Sequence, residues 1–348
     1  MTPEPTSPAP TAENPPSDEP APPSATAPLR PDPGSPAQWT FLTLVVASTI
    51  LLLYSLLPAA LAYPLAGSTA IGLFALFAVP LWIFRRRIAD RVGVGPAALT
   101  AALLWGGTVA VMTSLYGSGA VRGLLAASVD SAWAEKWAPV MGAPVVEETV
   151  KAAGVVLVAA TAWQQLRSPL DGLLIGAFCG AGFQIVEGYA YAMSTVVLHR
   201  AGDEVQPVVS VFIVRGLLAG LWSHAVFTAI AGAGIVYAML ERTARSRVTA
   251  LAACAFAVAC HTLWNSPLLR DGLGLGTWGI LGGVLLKGLP AVIVAVWLTK
   301  RLLRTGPRTA AAAALPESGR PLREAKPPAA GRPRTGPPTA PESAQFST

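Results

Sequence analysis

The sequence predicts an all-α, polytopic integral membrane bundle of about eight transmembrane helices with disordered proline-rich tails. Three observations carry this. Of 348 residues, 53% are hydrophobic and only 13% are charged, about half the charged share of a soluble protein. Mean hydropathy is +0.52. The apolar residues fall in blocks close to the roughly 20 residues that cross a bilayer as a helix. The 33 glycines and 32 prolines follow no G-X-Y period, which excludes collagen. A formal net charge of +6 arises from short basic runs beside apolar blocks. That is a membrane pattern, so the lipid bilayer is an expected partner and nucleic acid is not. Cys179, Cys254 and Cys260 all lie inside apolar blocks and form no C-x-x-C pair, leaving neither a disulfide framework nor a thiolate metal site to read.

The chain divides by composition. Residues 1–38 hold 13 prolines, five acids and one base, Arg30, and residues 305–348 hold nine prolines, six bases and three acids. Neither segment has enough apolar side chains to offset the entropy of ordering, so both are expected to be disordered tails. No short basic segment precedes the first apolar block, which is therefore read as a span and not as a cleaved leader. Residues 39–304 form the transmembrane bundle. The spans are expected at 40–63, 68–84, 97–116, 137–163, 170–198, 208–240, 248–267 and 277–299. The sixth, at 33 residues, must tilt, kink or begin in the interface. Arg85, Arg86, Arg87, Arg91, Arg167, Arg242, Arg245, Arg247, Lys300, Arg301 and Arg304 fall on one side of this arrangement, and Arg122, Lys136, Arg200 and Arg270 on the other. The basic excess assigns the first side, and both tails, to the cytoplasm. Arginine outnumbers lysine 20 to 5 and alanine is abundant, as in a bacterium of high genomic GC content, so the expected location is a bacterial plasma membrane.

An ionisable residue inside a span costs several kcal/mol unless it is paired or faces a wet cavity. Glu147, Glu148 and Lys151 occupy the fourth expected span, Glu187 the fifth, Arg215 and His224 the sixth, His261 and Asn265 the seventh and Lys287 the eighth. Glu147 and Glu148 stand at i,i+4 and i,i+3 from Lys151, so either can pair with it along one helix face. One ammonium neutralises one carboxylate, and the second needs a metal, a proton or a cation from another helix. Glu187 continues the stripe Gly172, Gly176 and Gly180, whose small residues let helices approach closely. It therefore points into the bundle, with Phe183 one turn before it. His261 and Asn265 are i,i+4 on one face. Arg215 and His224 are nine residues apart, which on a regular helix puts them on opposite faces. Arg215 is thus expected to pair elsewhere or to snorkel to the outer interface, and Lys287 has no partner in its own span. Glu147, Glu187 and His261 lie at similar depths, roughly 9–16 Å below the outer ends of their spans, which suggests one cavity opening outward.

Carboxylates, two histidines and an asparagine around such a cavity suit amide hydrolysis. A desolvated glutamate can take a proton from water. Two histidines and a carboxylate form a catalytic zinc ligand set, and Asn265 could donate to an oxyanion.

These residues also form ordered motifs: Glu147-Glu148-Thr149-Val150-Lys151, then Asp171-Gly172-Leu173 and Gly180-Ala181-Gly182-Phe183 through Glu187, then Arg215 and His224, then His261-Thr262-Leu263-Trp264-Asn265. Over residues 137–299 they resemble the PrsW family of intramembrane proteases, a branch of the superfamily of type II CAAX prenyl proteases and bacteriocin-processing enzymes. Where the family usually carries asparagine after the motif glutamate, this chain has Gly188. The resemblance implies a metal-type endopeptidase, the metal being a divalent ion such as zinc. The substrate it implies is a membrane-anchored protein, such as an anti-sigma factor, cut near the outer face. It also implies catalytic roles for Glu147, Glu148, Lys151, Glu187 and Asn265. Glu147 or Glu148 would be the base, Lys151 would orient the pair, and Glu187, His224 and His261 would complete the water or metal site. Two other readings are a non-catalytic scaffold of the same superfamily and a proton-coupled transporter, whose relays also use buried carboxylates and histidines. The chain shows no second copy of the motif-bearing half, the repeat a transporter commonly has.

Overall fold

The computed structural model describes residues 34–199, 202–220, 222–269 and 271–305. The expected disordered tails fall outside these residues except at their inner edges, as do Arg200 and Arg270. The first helix, α1, runs Pro36–Ala62, starting inside the segment expected to be tail. The reason is local: the Ser35 side chain accepts from the Gln38 N–H and Pro36 sits in the first turn, a strong start signal.

Helices α2 (Pro64–Ala75) and α3 (Ala78–Arg87) divide the second expected span at Leu76–Phe77. Next come α4 (Pro96–Trp105), a π-helical turn at Gly106–Ala110 and α5 (Val111–Ser128), which extend the third span well past residue 116. α6 (Ser131–Thr161) starts earlier than expected because the Asp130 carboxylate caps it through Trp133 N–H. α7 spans Pro169–Leu198 behind a capping box made by Ser168 and Asp171. The sixth expected span is broken. It consists of α8 (Gln206–Val211), a π-helical stretch Phe212–Leu218, a non-helical turn, and α9 beginning at His224 and ending at Glu241. α10 (Ala244–Asn265) and α11 (Gly276–Thr305) complete the bundle.

Seven helices or continuous helical segments among the described residues are long and apolar enough to cross a membrane. The chain is a multi-pass membrane protein. α6 is not one of the seven, because each of its 18-residue windows holds at least three charged residues, Glu147 and Glu148 always among them. The stretch from α8 to the π turn is too short to count as a long span.

α7 is the most buried of the seven, and it packs most extensively against α9. The glycine stripe allows this. A methyl group at Gly172 would overlap the Gly232 carbonyl, one at Gly176 the Thr228 carbonyl, and one at Gly180 the His224 carbonyl. Backbones touch where side chains would hold them apart, as the small-residue spacing predicts. Gly176→Val is accordingly expected to cost about 1–3 kcal/mol by overpacking. The cost is measurable as a lower midpoint of unfolding in detergent micelles, with Gly282→Val, where nothing lies near the added carbon, as the neutral control.

The two ends of the bundle are tied by different residues. At one end the buried Asp171 carboxylate accepts four backbone N–H groups: Gly93 and Val94 on Oδ1 (2.7 and 2.9 Å), Arg167 and Ser168 on Oδ2 (2.8 and 3.0 Å). Nearby in sequence, Arg91 Nη1 donates to the Leu303 carbonyl of α11 at 2.8 Å. At the other end, Asp203 accepts from Leu65 and Ala66 N–H at 2.9 and 2.8 Å, capping α2. The buried Lys287 of α11, which had no partner in its own span, donates to the Trp264 and Ser266 carbonyls at 3.3 and 2.7 Å. It therefore closes the C-terminal end of α10, where helix carbonyls lack internal partners and a cation is favoured.

Candidate functional site

The motif residues of α6, α7, α9 and α10 converge on one buried cluster. Glu147, Glu148 and Lys151 lie on the inner face of α6, and none of their side chains is more than 5% exposed. Lys151 is the hub. Its Nζ is 2.9 Å from Glu148 Oε1 and 3.5 Å from Glu147 Oε2. It donates to His224 Nδ1 at 3.0 Å and sits 3.6 Å from the Phe183 ring centroid. Phe183 also packs on the His224 ring, centroids 4.9 Å apart, so it desolvates the lysine and the histidine.

An ammonium has only donors. His224 Nδ1 must therefore accept, and the neutral ring carries its proton on Nε2, facing Glu187 Oε2 at 3.3 Å. The tautomer of His261 follows in the same way. Its Nδ1 is 3.0 Å from Glu148 Oε1, a carboxylate that only accepts, so Nδ1 holds the proton and the Nε2 lone pair is left 3.7 Å from Glu147 Oε2. A carboxylate that fixes one nitrogen of a histidine and frees the other for a metal is a recurring outer-shell arrangement. The two imidazoles meet nearly edge to face, centroids 4.7 Å apart and planes at 84°.

The glutamates differ in how fully they are used. Glu148 bonds Lys151 and His261 through Oε1, and its Oε2 accepts from Thr228 Oγ at 3.3 Å. Glu147 accepts from Ser114 Oγ at 2.8 Å on Oε1, while its Oε2 is buried without a hydrogen-bond partner. Glu187 is ion-paired with Arg215 through the same oxygen that faces His224. Three carboxylates thus meet two cations, leaving one negative charge over. Buried groups in that position call for a proton or a further cation.

Glu147, His224 and His261 each offer a ligand atom, and the three atoms lie within 4.8 Å of one another. The donor set, the Glu147 oxygen that makes no hydrogen bond and the surplus negative charge all fit a divalent metal. Glu187, expected among the ligands, stands beside this trio and touches His224. Asn265 stands apart from it: its Nδ2 donates to the Pro139 carbonyl at 2.8 Å, about two helical turns before Glu147, and so ties α10 to α6.

Arg215 corrects the expectation that it avoids the His224 site. The nine-residue count assumed a regular helix, but the π turn and the break before His224 reset the angle. Arg215 reaches Glu187 and lies 3.8 Å over the Tyr191 ring. The backbone break itself is buried, with Ala219, Trp222 and Ser223 at 2%, 7% and 1% exposure, as irregular backbone at membrane depth must be unless it lines a cavity.

The sequence reading missed Ser114, Thr228, Gln184 and Ser223. Thr228 follows His224 by four residues, which was a legible same-face signal. Ser223 donates to Gln184 Oε1 at 2.7 Å, and Gln184 Nε2 donates to the Arg215 carbonyl at 3.2 Å, bracing the break. Ser114 comes from α5 and had no spacing to mark it. Gly188, where the family usually has asparagine, is explained by packing, since a side chain there would overlap the Phe74 ring.

The description "PrsW family intramembrane metalloprotease" matches residues 95–303, a wider stretch than the motif-bearing 137–299. No curated protein and no solved structure matches the chain. The match covers more than half of the sequence and takes in every residue of the Glu–Lys–His cluster, so the chain belongs to the PrsW family of intramembrane metalloproteases and is a membrane-embedded hydrolase of peptide bonds.

Proposed function

We propose that the chain cuts a membrane-anchored protein substrate near the outer face of a bacterial plasma membrane, with an anti-sigma-factor-like protein as the substrate class. Both tails lie in the cytoplasm in this reading, and eight spans cross the bilayer with α6 among them. The observation that carries the chemistry is the buried Glu147 Oε2, which makes no hydrogen bond, beside two histidines whose ligand atoms lie within 4.8 Å of one another and of Glu147.

In this reading Glu147, His224 and His261 hold the metal, with zinc as the first choice for two imidazoles and a carboxylate. When bound, such an ion supplies Lewis acidity and a water acidic enough to react near neutral pH. The chain's own residues do the rest. Glu148 fixes His261 by its Nδ1–H, and Ser114 fixes the Glu147 carboxylate. Lys151 holds Glu148 and the His224 ring together, and its charge neutralises the glutamate pair. His224 can offer Nε2 to a metal only as the other neutral tautomer, with the ring proton on Nδ1 instead of Nε2. Glu187 is the most accessible carboxylate, its side chain 14% exposed against 5% and 3% for Glu147 and Glu148. It is the group that takes the proton of the attacking water and returns it to the leaving amine. The ion pair with Arg215 holds it in place for that task. Asn265 holds α10 against α6 in this reading, in place of the oxyanion role its motif implies.

The test uses the purified full chain in vesicles with a panel of tagged single-span membrane proteins, with bound metal assayed on the same samples. Wild type is expected to cut at least one panel member and to lose cleavage on chelation, with recovery on adding zinc. Glu187→Gln is expected to keep the metal while cleavage drops by about 10²–10⁴-fold, the range for loss of a general base. Full cleavage after exhaustive metal removal would overturn the metal reading, and an unimpaired Glu187→Gln would overturn the base.

A further inference from the structure

A groove of about 620 Å³ opens between α7 and the α8–π-helix segment, a volume in the range of pre-formed ligand sites. One wall carries Tyr191, Thr195 and His199, and the other Gln206, Ser210 and Val214. Each set recurs every fourth residue, so each wall is a single slowly winding helix stripe. Continuing the first stripe inward by one more step reaches Glu187. The groove therefore runs from His199 and Glu204 toward the Glu187 carboxylate.

Arg215 lines the groove and crosses its inner end. It comes from the π-helical wall, lies 3.8 Å over the Tyr191 ring of the other wall, and ion-pairs with Glu187 behind that ring. Its Nε is buried and has no hydrogen-bond partner. Beyond Arg215 stand Glu187 and then the trio of Glu147, His224 and His261.

We propose that this groove is the substrate channel, resting on the peptidase reading above. It takes about four residues of the substrate in extended form, with the Arg215 guanidinium, its side chain 20% exposed, donating to a substrate main-chain carbonyl at the inner end. The length argues for this occupant. From Tyr191 to His199 the wall rises roughly 12 Å, which an extended chain covers in about four residues. The lining argues for it as well. A substrate helix must unwind before its peptide bond can be attacked, and unwound backbone at membrane depth needs hydrogen-bond partners. Gln206 Nε2 donates to Ser210 Oγ at 3.1 Å, and the remaining Gln206 amide groups, the Ser210 hydroxyl proton and the His199 ring provide donors and acceptors along the walls. The Arg215 guanidinium provides donors at the floor. A π-helical stretch, uncommon and frequent at functional sites, is what turns Arg215 into this position.

The test places photoreactive benzoylphenylalanine at Thr195, at Ser210 and, as a control, at Leu217, which is 55% exposed on the outer surface. Each full-length variant is irradiated in chelator-treated vesicles with the tagged single-span panel, and adducts are mapped by mass spectrometry. Cleavage by the unmodified, metal-loaded chain is scored on the same panel. The expected result is at least tenfold more adduct from Thr195 and Ser210 than from Leu217. It should be confined to one short stretch of the panel members that the unmodified chain cuts. Cleavage without that enrichment overturns the channel and leaves the peptidase reading intact. Enriched adducts on panel members that are never cut uphold a peptide groove and overturn its link to hydrolysis. Absence of both overturns both.

Discussion

Replacing Glu147 with glutamine is expected to remove the bound metal and lower cleavage by about a thousandfold, while the fold survives. The substitution is nearly isosteric. It leaves Ser114 an acceptor, and it deletes a charge from a cluster that holds one negative charge too many. The buried oxygen it replaces has no hydrogen-bond partner to lose. Glu148→Gln should behave differently although it is the adjacent residue. Its carboxylate holds Lys151 at 2.9 Å and His261 at 3.0 Å with both side chains buried. Neutralising it leaves the ammonium with the 3.5 Å contact to Glu147 as its remaining ion pair. Breaking a buried pair on one side costs about 3–5 kcal/mol. The measurements are metal content, cleavage in vesicles, and unfolding midpoint in micelles for both variants side by side. A Glu147→Gln protein that retains its metal and its activity would remove Glu147 from the ligand set. Equal stability of the two variants would contradict the division of labour between them.

The largest expected effect on stability lies at the other end of α7, far from the chemistry. Asp171→Ala should destabilise the chain by about 4 kcal/mol or more, since each buried backbone donor left unpaired costs about 1–3 kcal/mol and Asp171 serves four of them. These N–H groups belong to two separate connections, 93–94 and 167–168, so one carboxylate pins the start of α4 to the start of α7. Asp171→Asn should recover part of the loss, because its amide keeps one acceptor oxygen. The check is reversible unfolding in mixed micelles of wild type and both variants. An alanine variant within 1 kcal/mol of wild type would show that water satisfies those groups and that the carboxylate is dispensable. That cost is the lower limit expected for a single unmet donor.

Much of the fold was legible because membrane helices announce themselves in one dimension. The apolar blocks led to α1, α7, α10 and α11 with ends close to the expected ones. Misplaced ends have local causes: the Ser35 cap draws α1 into the proline-rich segment, and Asp130 starts α6 early. The site residues were also legible, because an ionisable side chain in an apolar span is conspicuous wherever it comes to rest. Partnerships were not. Lys287 looked unpartnered because its acceptors are main-chain carbonyls of another helix. Arg215 looked remote from His224 because angular counting assumes 100° per residue, and the π turn and the break at 219–223 abolish that regularity.

The sequence by itself determined a membrane-spanning α-helical chain and which side chains are too polar to face lipid. It also determined that α7 would pack closely along its glycine stripe. Hydropathy, charge and small-residue spacing are properties of single helices and need no partner to be read. Only the tertiary structure decided which glutamate is fully bonded and which keeps an oxygen without a hydrogen bond, and only it brought Ser114 and Thr228 to them. It alone joined Arg215 to Glu187 at the floor of a groove. Those outcomes depend on how five helices and one broken segment meet in three dimensions, where a rotation of one helix by a fraction of a turn exchanges every partner in the site.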